Sequence, residues 1–235
     1  MSYKLEKPYT DKQRADFIVE YNHKQGLTIQ ETEIAIYALE PWEVLQGDEV
    51  VDNTEHYEQE QAQKERERLD GLFLTRGDVF EAFILAKGAT KPQLRALIEN
   101  YEMDKIQKAI ILNRFDEALN FYRGYPVFNL LGSALGVTSE MLDKFFETNN
   151  YKYLTNVTLT INPTPNTATV MINGVAQNTV TVPYSTDIEY TVQAEGYKEQ
   201  LGAMTLMENM KLDIALIEEE VPNENTTDTT TNVQE

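Results

Sequence analysis

The stretch from Val157 to Ile217 constrains the fold most, because apolar and polar residues alternate there with period two. Val157/Leu159/Ile161, Ile188/Tyr190/Val192/Ala194 and Leu212/Ile214/Leu216 each put one face of an extended segment into a core and leave the other in water. Further runs at 168–175, 179–182 and 203–206 complete a set of six. Asn173-Gly174 interrupts one of them, and this pair tolerates the positive φ of a tight primed turn, so it predicts a hairpin. With no cysteine in the chain, neither disulfides nor thiolate metal ligands can hold this module together. It must close on its own apolar faces.

Upstream, the pattern changes from strands to helices with marked ends. Thr10-Asp11-Lys12-Gln13 has the form of a capping box, followed by Ala15, Phe17, Ile18 and Tyr21 at helical spacing and by Gly26. Leu27–Ile29 and Ala35–Leu39 read as short strands or sheet edges, and Val44–Val51, around Gly47-Asp48, as a second hairpin. Thr54–Leu69 is polar nearly all round and has Glu, Lys and Arg three and four apart, which predicts a solvated spacer helix. Self-pairing of that helix is the alternative, on a thin apolar seam. From Leu72 to Tyr151 the punctuation predicts a compact bundle. Thr75 caps a helix stopped by Gly88, and Thr90-Lys91-Pro92-Gln93 opens the next. Ile106–Phe121 reads as one helix broken by Tyr122–Pro126. Val127–Leu135 is a buried segment ended by Gly136, and Thr138 opens a last helix through Phe146.

The fold class expected is therefore α+β and multidomain: a small α/β N-terminal unit at 1–53, the spacer helix at 54–71 and a helical domain at 72–151. An immunoglobulin-like all-β sandwich at 155–218 and a disordered acidic tail at 219–235 follow.

Candidate chemistry is sparse. His23 and His56 have no companion ligand at metal spacing, so no metal centre is expected. Gly132 and Gly136 suit helix packing or capping better than a phosphate loop, and Ser133 lacks the second glycine and the histidine of a nucleophile elbow. Glu31/Glu33 and Glu58/Glu60 lie in polar surroundings where nothing raises a carboxyl pKa towards acid catalysis. No catalytic, cofactor-binding or metal residue is assigned, no cofactor is expected, and the chain reads as a non-enzyme. The aromatic residues are what is left: Tyr184, Tyr190 and Tyr197 in the β module, and Tyr122, Tyr125 and Phe128 around Gly124. They serve either as contact residues for sugars or proteins or, the favoured reading for Tyr190 and Tyr197, as cross-strand packing.

A formal net charge of −19, from 39 acidic and 20 basic residues, disfavours direct binding to nucleic acid phosphates or to anionic membranes. The opening Met1–Pro8 has no apolar signal region, and no apolar run approaches a membrane span.

Two resemblances add a setting. Pro165-Asn166-Thr167-Ala168, followed by T-V-M-I-N-G (169–174) and V-Q-A-E-G-Y (192–197), resembles a PEGA repeat. The tetrad departs from that family at its second and third positions. The resemblance implies a small immunoglobulin-like module that binds or spaces. The opening K-L-E-K-P-Y-T-D-K-Q-R-A-D-F-I-V-E-Y-N-H-K-Q-G-L (4–27) and G-V-T-S-E-M-L-D-K-F-F-E-T-N-N-Y (136–151) resemble small proteins of tailed phages and prophages of gut bacteria, encoded near tail-fibre and baseplate genes. That similarity implies a virion structural protein of the tail or another appendage, assembled in the host cytoplasm. Residues 1–151 would form the attachment base, the β module would be displayed, and the partners would be other virion proteins and further copies of the chain. Glycan binding by the module stays open but unsupported, the tyrosines being its only candidate contacts. The alternative is an assembly factor for tail or fibre proteins that does not remain in the particle.

Overall fold

A computed structural model describes residues 3–219 and divides the chain into two compact units, Met1–Gly71 and Leu72–Glu235. The architecture is mixed α+β.

In the first unit, β1 (Tyr3–Glu6), α1 (Asp11–Ile18), β2 (Thr28–Glu31) and β3 (Ala35–Leu39) form a three-stranded antiparallel sheet in the order β1-β3-β2, with α1 on one face. The predicted capping box at Thr10 and Gln13 starts α1. β3 is the central strand and all five of its residues are buried. Ile36 and Ala38 face Phe17 and Leu27, while Ala35, Tyr37 and Leu39 face Leu45 and Val50. The latter two belong to the predicted hairpin, β4 (Glu43–Gln46) and β5 (Glu49–Asp52), turned at Gly47. A strand buried on both faces has no alternation to read, so its central position was not visible in the sequence. β1 is a further strand that the sequence reading did not place. α2 (Thr54–Asp70) is the predicted polar helix: it buries none of its residues and carries pairs such as Lys64–Glu60 at 2.7 Å.

The second unit begins with β6 (Phe73–Thr75). α3 (Arg76–Lys87), α4 (Lys91–Asn100), α5 (Lys105–Glu117), β7 (Asn120–Tyr122), α6 (Pro126–Leu135) and α7 (Ser139–Thr148) follow. The Thr75 hydroxyl accepts from the Asp78 N–H, the Thr90 N–H donates to Gln93 Oε1, and the Thr138 hydroxyl accepts from the Met141 N–H. These are the three caps read from the sequence. Gly88 and Gly136 end their helices with positive φ. One element departs from expectation. The helix predicted over Ile106–Phe121 stops at Glu117, and Asn120–Tyr122 pairs antiparallel with Phe73–Thr75. Phe121 is 1% exposed and stands between the exposed Asn120 and Tyr122, the alternation that an extended segment makes. The partner strand lies far away in sequence, which is why no local signal announced the pairing. Around this ribbon the core is aromatic: Phe121 packs edge-on to Phe80 and Phe128, and Phe128 to Phe146.

After a 3₁₀ turn at Tyr151–Leu154 the chain enters seven strands. They are β8 (Asn156–Thr164), β9 (Thr169–Ile172), β10 (Val175–Ala176), β11 (Thr179–Pro183), β12 (Thr186–Gln193), β13 (Gln200–Leu206) and β14 (Met210–Ala215). They form two sheets, β10-β9-β12-β13 and β11-β8-β14, the latter including one parallel pair, β8 with β14. Leu159, Ile161 and Ile214 from one sheet meet Val170, Ile172, Ile188, Val192 and Leu206 from the other. This is a β-sandwich whose core uses the inward residues of the alternation read from the sequence. Each of these side chains stabilises the fold by about 1.5–3 kcal/mol on burial. Asn173 (φ 49°) and Gly174 (φ 76°) make the predicted primed turn between β9 and β10. Across β12 and β13, Tyr190 stands opposite Gly202, and its ring occupies the space that a Cβ at Gly202 would need. Of the predicted acidic tail only Glu219 is described, its N–H donating to the Gly196 carbonyl at 2.8 Å; residues 220–235 lie outside the described residues.

Gly132 gives a direct check on the helical packing. A Cβ there would sit 2.7 Å from the Val137 carbonyl oxygen, where only backbone movement makes room. Gly132→Ala is expected to destabilise the protein by about 1–3 kcal/mol, read as a lowered midpoint in thermal unfolding.

Candidate interaction surfaces

The exposed aromatic and aliphatic residues of the helical part supply the most distinctive surface. β6 and β7 present Phe73 and Tyr122 side by side, ring centroids 5.6 Å apart, and Tyr122 continues to Tyr125 at 5.5 Å. The Arg114 guanidinium lies 5.3 Å from the Tyr125 ring centre. This cation-faced aromatic row holds two of the three residues that the sequence singled out around Gly124. The third, Phe128, is core. α5 adds a second feature. Ile111, Leu112 and Phe115 turn inward, while Ile106, 71% exposed, and Ile110, 50% exposed, point to solvent one turn apart. An open groove of roughly 370 Å³ runs between Tyr101, Met103, Ile111 and Leu130.

Arg123 fixes this region, and no sequence signal identified it. Its side chain is 2% exposed and forms an ion pair from Nε to Asp143 of α7 at 2.6 Å. Its terminal nitrogens donate to Asn129 Oδ1 on α6 at 3.1 Å and to the Ser139 hydroxyl on α7 at 2.7 Å. The backbone N–H of Arg123 also donates to the Leu72 carbonyl at 2.8 Å. One residue therefore ties the two-stranded ribbon to α6 and α7.

In the β module the three tyrosines are absorbed by the fold. Tyr190 covers Gly202, Tyr197 packs on the sandwich core and bridges to Glu218, and Tyr184 meets Tyr153 edge-on at 5.2 Å. The outer face of the sheet β11-β8-β14 is polar and uncharged on two of its strands. The hydroxyls of Thr158 and Thr181 lie 2.9 Å apart, and Thr179 donates to Thr160 at 3.3 Å.

The remaining sequence candidates stand apart from one another. His23 closes the π-helical turn after α1, and His56 lies in the first turn of α2. Among the described residues no group of three or more His, Cys, Asp or Glu could hold a metal. No helix there is long and apolar enough to cross a membrane. Ser133 lies in α6 and Gly132 packs against the Val137 backbone. Glu31 has a structural role: it accepts from the Tyr9 hydroxyl and, at 3.0 Å, from Arg14. The Tyr9 hydrogen bond, with Arg14 second, holds its carboxyl below the usual carboxylate range, the opposite of what acid catalysis needs.

Residues 156–219 match the family model of a head fiber dimeric protein-like domain. The match covers the whole sandwich and roughly a quarter of the chain. No curated protein and no solved structure matches. The matched segment is the one that resembles a PEGA repeat, and the match supports a relation to phage fibres and not PEGA membership. The coarse conclusion is a phage fibre-like, virion-associated module of structural character.

Breaking the Arg123–Asp143 pair should be costly, since removing one partner leaves the other charge uncompensated. Arg123→Met is expected to cost about 3–5 kcal/mol, and adding Asp143→Leu should recover much of that loss, as chemical denaturation would read. For Glu31 the lowered folded-state pKa means that its contribution is present above the unfolded pKa and is lost as pH falls through the folded value. Glu31→Gln should therefore lower the thermal midpoint at neutral pH, with the gap to wild type closing on acidification.

Proposed function

We propose that this chain is a non-enzymatic structural component of a bacteriophage particle, a fibre or appendage protein that associates with other virion proteins and with a second copy of itself. The observation that carries the reading is the coincidence of the fibre-family match with the complete sandwich, both ending at residue 219 or just before it. The words of the matched family favour the head over the tail as the place of attachment, and a dimer as the unit. The absence of any assigned catalytic or cofactor residue in the sequence accords with a structural role.

The helical part is the attachment base in this reading. Its exposed Ile106 and Ile110, and the row Phe73–Tyr122–Tyr125, offer the large apolar and aromatic anchors that dominate protein interfaces. The sandwich is the displayed part, with a polar outer sheet suited to water. The net charge of −19 keeps the chain from binding the packaged nucleic acid directly.

Quantitative mass spectrometry of purified particles separates this reading from that of an assembly factor. A fixed, stoichiometric copy number supports a virion component, and absence from finished particles supports a factor released during assembly. Within the first outcome, the full chain carrying Ile106→Glu and Ile110→Glu should fold normally. Its incorporation should fall about tenfold or more, the consequence of losing 1.4 kcal/mol or more of interface energy. Unchanged incorporation would move the base elsewhere on the chain.

A further inference from the structure

The sandwich has four sheet edges, and they are not equally defended. β10 is two residues long. β14 places Lys211 and Asp213 along its edge. On β11 the Tyr184 N–H and the Asn178 carbonyl bond to the β8 side, so the alternate residues Thr179, Thr181 and Pro183 face outward, and Pro183 has no N–H to offer. Short strands, charges and prolines are the usual means of keeping an edge from pairing with another chain. β13 has none of them. Gln200-Leu201-Gly202-Ala203-Met204-Thr205-Leu206 is seven residues without a charge or a proline.

The direction of its backbone groups follows from the register. The Asn173 N–H donates to the Glu189 carbonyl, so Glu189 faces β9, and Ile188, Tyr190 and Val192 face β13. Their partners Met204, Gly202 and Gln200 complete that ladder. The N–H and C=O groups of Leu201, Ala203 and Thr205 then point away from the sheet, and among the described residues they meet no hydrogen-bond partner. All three residues are exposed, Leu201 by 69%.

We propose that β13 is the seam of a two-fold dimer, in which this edge pairs antiparallel with the same edge of a second copy about Ala203. The occupant follows from charge and symmetry. Two chains of net charge −19 repel, and β13 adds no charge of its own to the seam, the nearest carboxylates, Asp187 and Glu189, lying one strand further in on β12. An antiparallel pair centred on Ala203 is self-complementary, as a two-fold contact must be, with Leu201 of each copy opposite Thr205 of the other. The free groups of 201, 203 and 205 then make about six hydrogen bonds, and two four-stranded sheets become one continuous sheet. Along the outer face the row Ala176, Met171, Thr191 and Leu201, aligned by register across all four strands, continues into the second copy. This assignment takes the dimeric unit from the function proposed above and adds its location.

The test uses the full chain. Ala203→Pro removes an N–H from the free edge and none from the β12 ladder, so the fold should survive, as prolines on outward edge positions do. By light scattering after size exclusion, wild type should have twice the chain mass and Ala203→Pro the single mass, with an unchanged circular dichroism spectrum. Because the natural sequence has no cysteine, Ala203→Cys places the only thiol of each copy at the two-fold. Opposed Cα atoms about 5.5 Å apart are within disulfide range, and oxidation should give a covalent dimer. Lys211→Cys on the β14 edge should stay monomeric on a non-reducing gel. A wild-type dimer that persists in Ala203→Pro, or that cross-links through Lys211→Cys and not through Ala203→Cys, overturns the seam while leaving the dimeric unit standing. A wild-type monomer at every concentration overturns the dimeric unit together with the seam. If Ala203→Pro fails to fold, the pair of cysteine variants decides.

Discussion

The second unit depends on how little chain separates its two cores. Leu154 is fully buried among the helices, and Val157 is buried in the sandwich; only Thr155 and Asn156 lie between them. The 3₁₀ turn ends with the Thr155 hydroxyl on the Lys152 carbonyl, and the Thr155 carbonyl accepts the Tyr184 N–H at the end of β11. Tyr153 then packs edge-on to Tyr184, with Lys152 5.8 Å from the same ring. A junction this short, hydrogen-bonded to and packed against the end of β11, is not a linker of polar, unpaired residues. The orientation of the sandwich is therefore tied to that of the helical part.

Arg123 does the corresponding work inside the helical part. A guanidinium in a core needs its charge neutralised, which Asp143 does, and Asn129 and Ser139 accept from its terminal nitrogens, so that partners come from two different helices. Such a network adds little net stability compared with apolar side chains of similar volume. What it specifies is orientation: the guanidinium is planar and its donors have fixed directions, so the β6–β7 ribbon can dock in one way only. Phe73 and Tyr122 sit exposed on that ribbon with the half-buried Tyr125 just beyond it, and their alignment follows from the buried pair beneath.

How much of this was legible follows from the range of each interaction. Caps at Thr10, Thr75, Thr90 and Thr138, and the turn at Asn173-Gly174, are settled within three or four residues, and each was readable. The sandwich was readable because its strands have one wet face. β3, dry on both sides, offered no period, and β6–β7 pairs Leu74 with Phe121 across a gap filled by three helices. Leu119 misled for a simple reason: an apolar residue at helical spacing from Phe115 looks like core, although it is largely solvent-exposed. The tyrosines of the β module were ambiguous until register placed Tyr190 over Gly202. Arg123 was invisible, because neither its burial nor its partners 16 and 20 residues on leave a periodic trace.

Charge and edge chemistry then act in opposite senses on association. An acidic surface disfavours every encounter between copies, most strongly where carboxylates face one another, and this repulsion weakens with salt. Backbone pairing is indifferent to side-chain charge but demands an uncovered strand of sufficient length. Only where both conditions are relaxed together, an edge long enough to pair and free of charge, can repulsion be met by a set of aligned hydrogen bonds. β13 satisfies both, whereas β14 meets the length and not the charge, and β11 lacks one of its outward N–H groups. The acidity of the chain thus narrows the sandwich edges open to pairing with another copy to one strand.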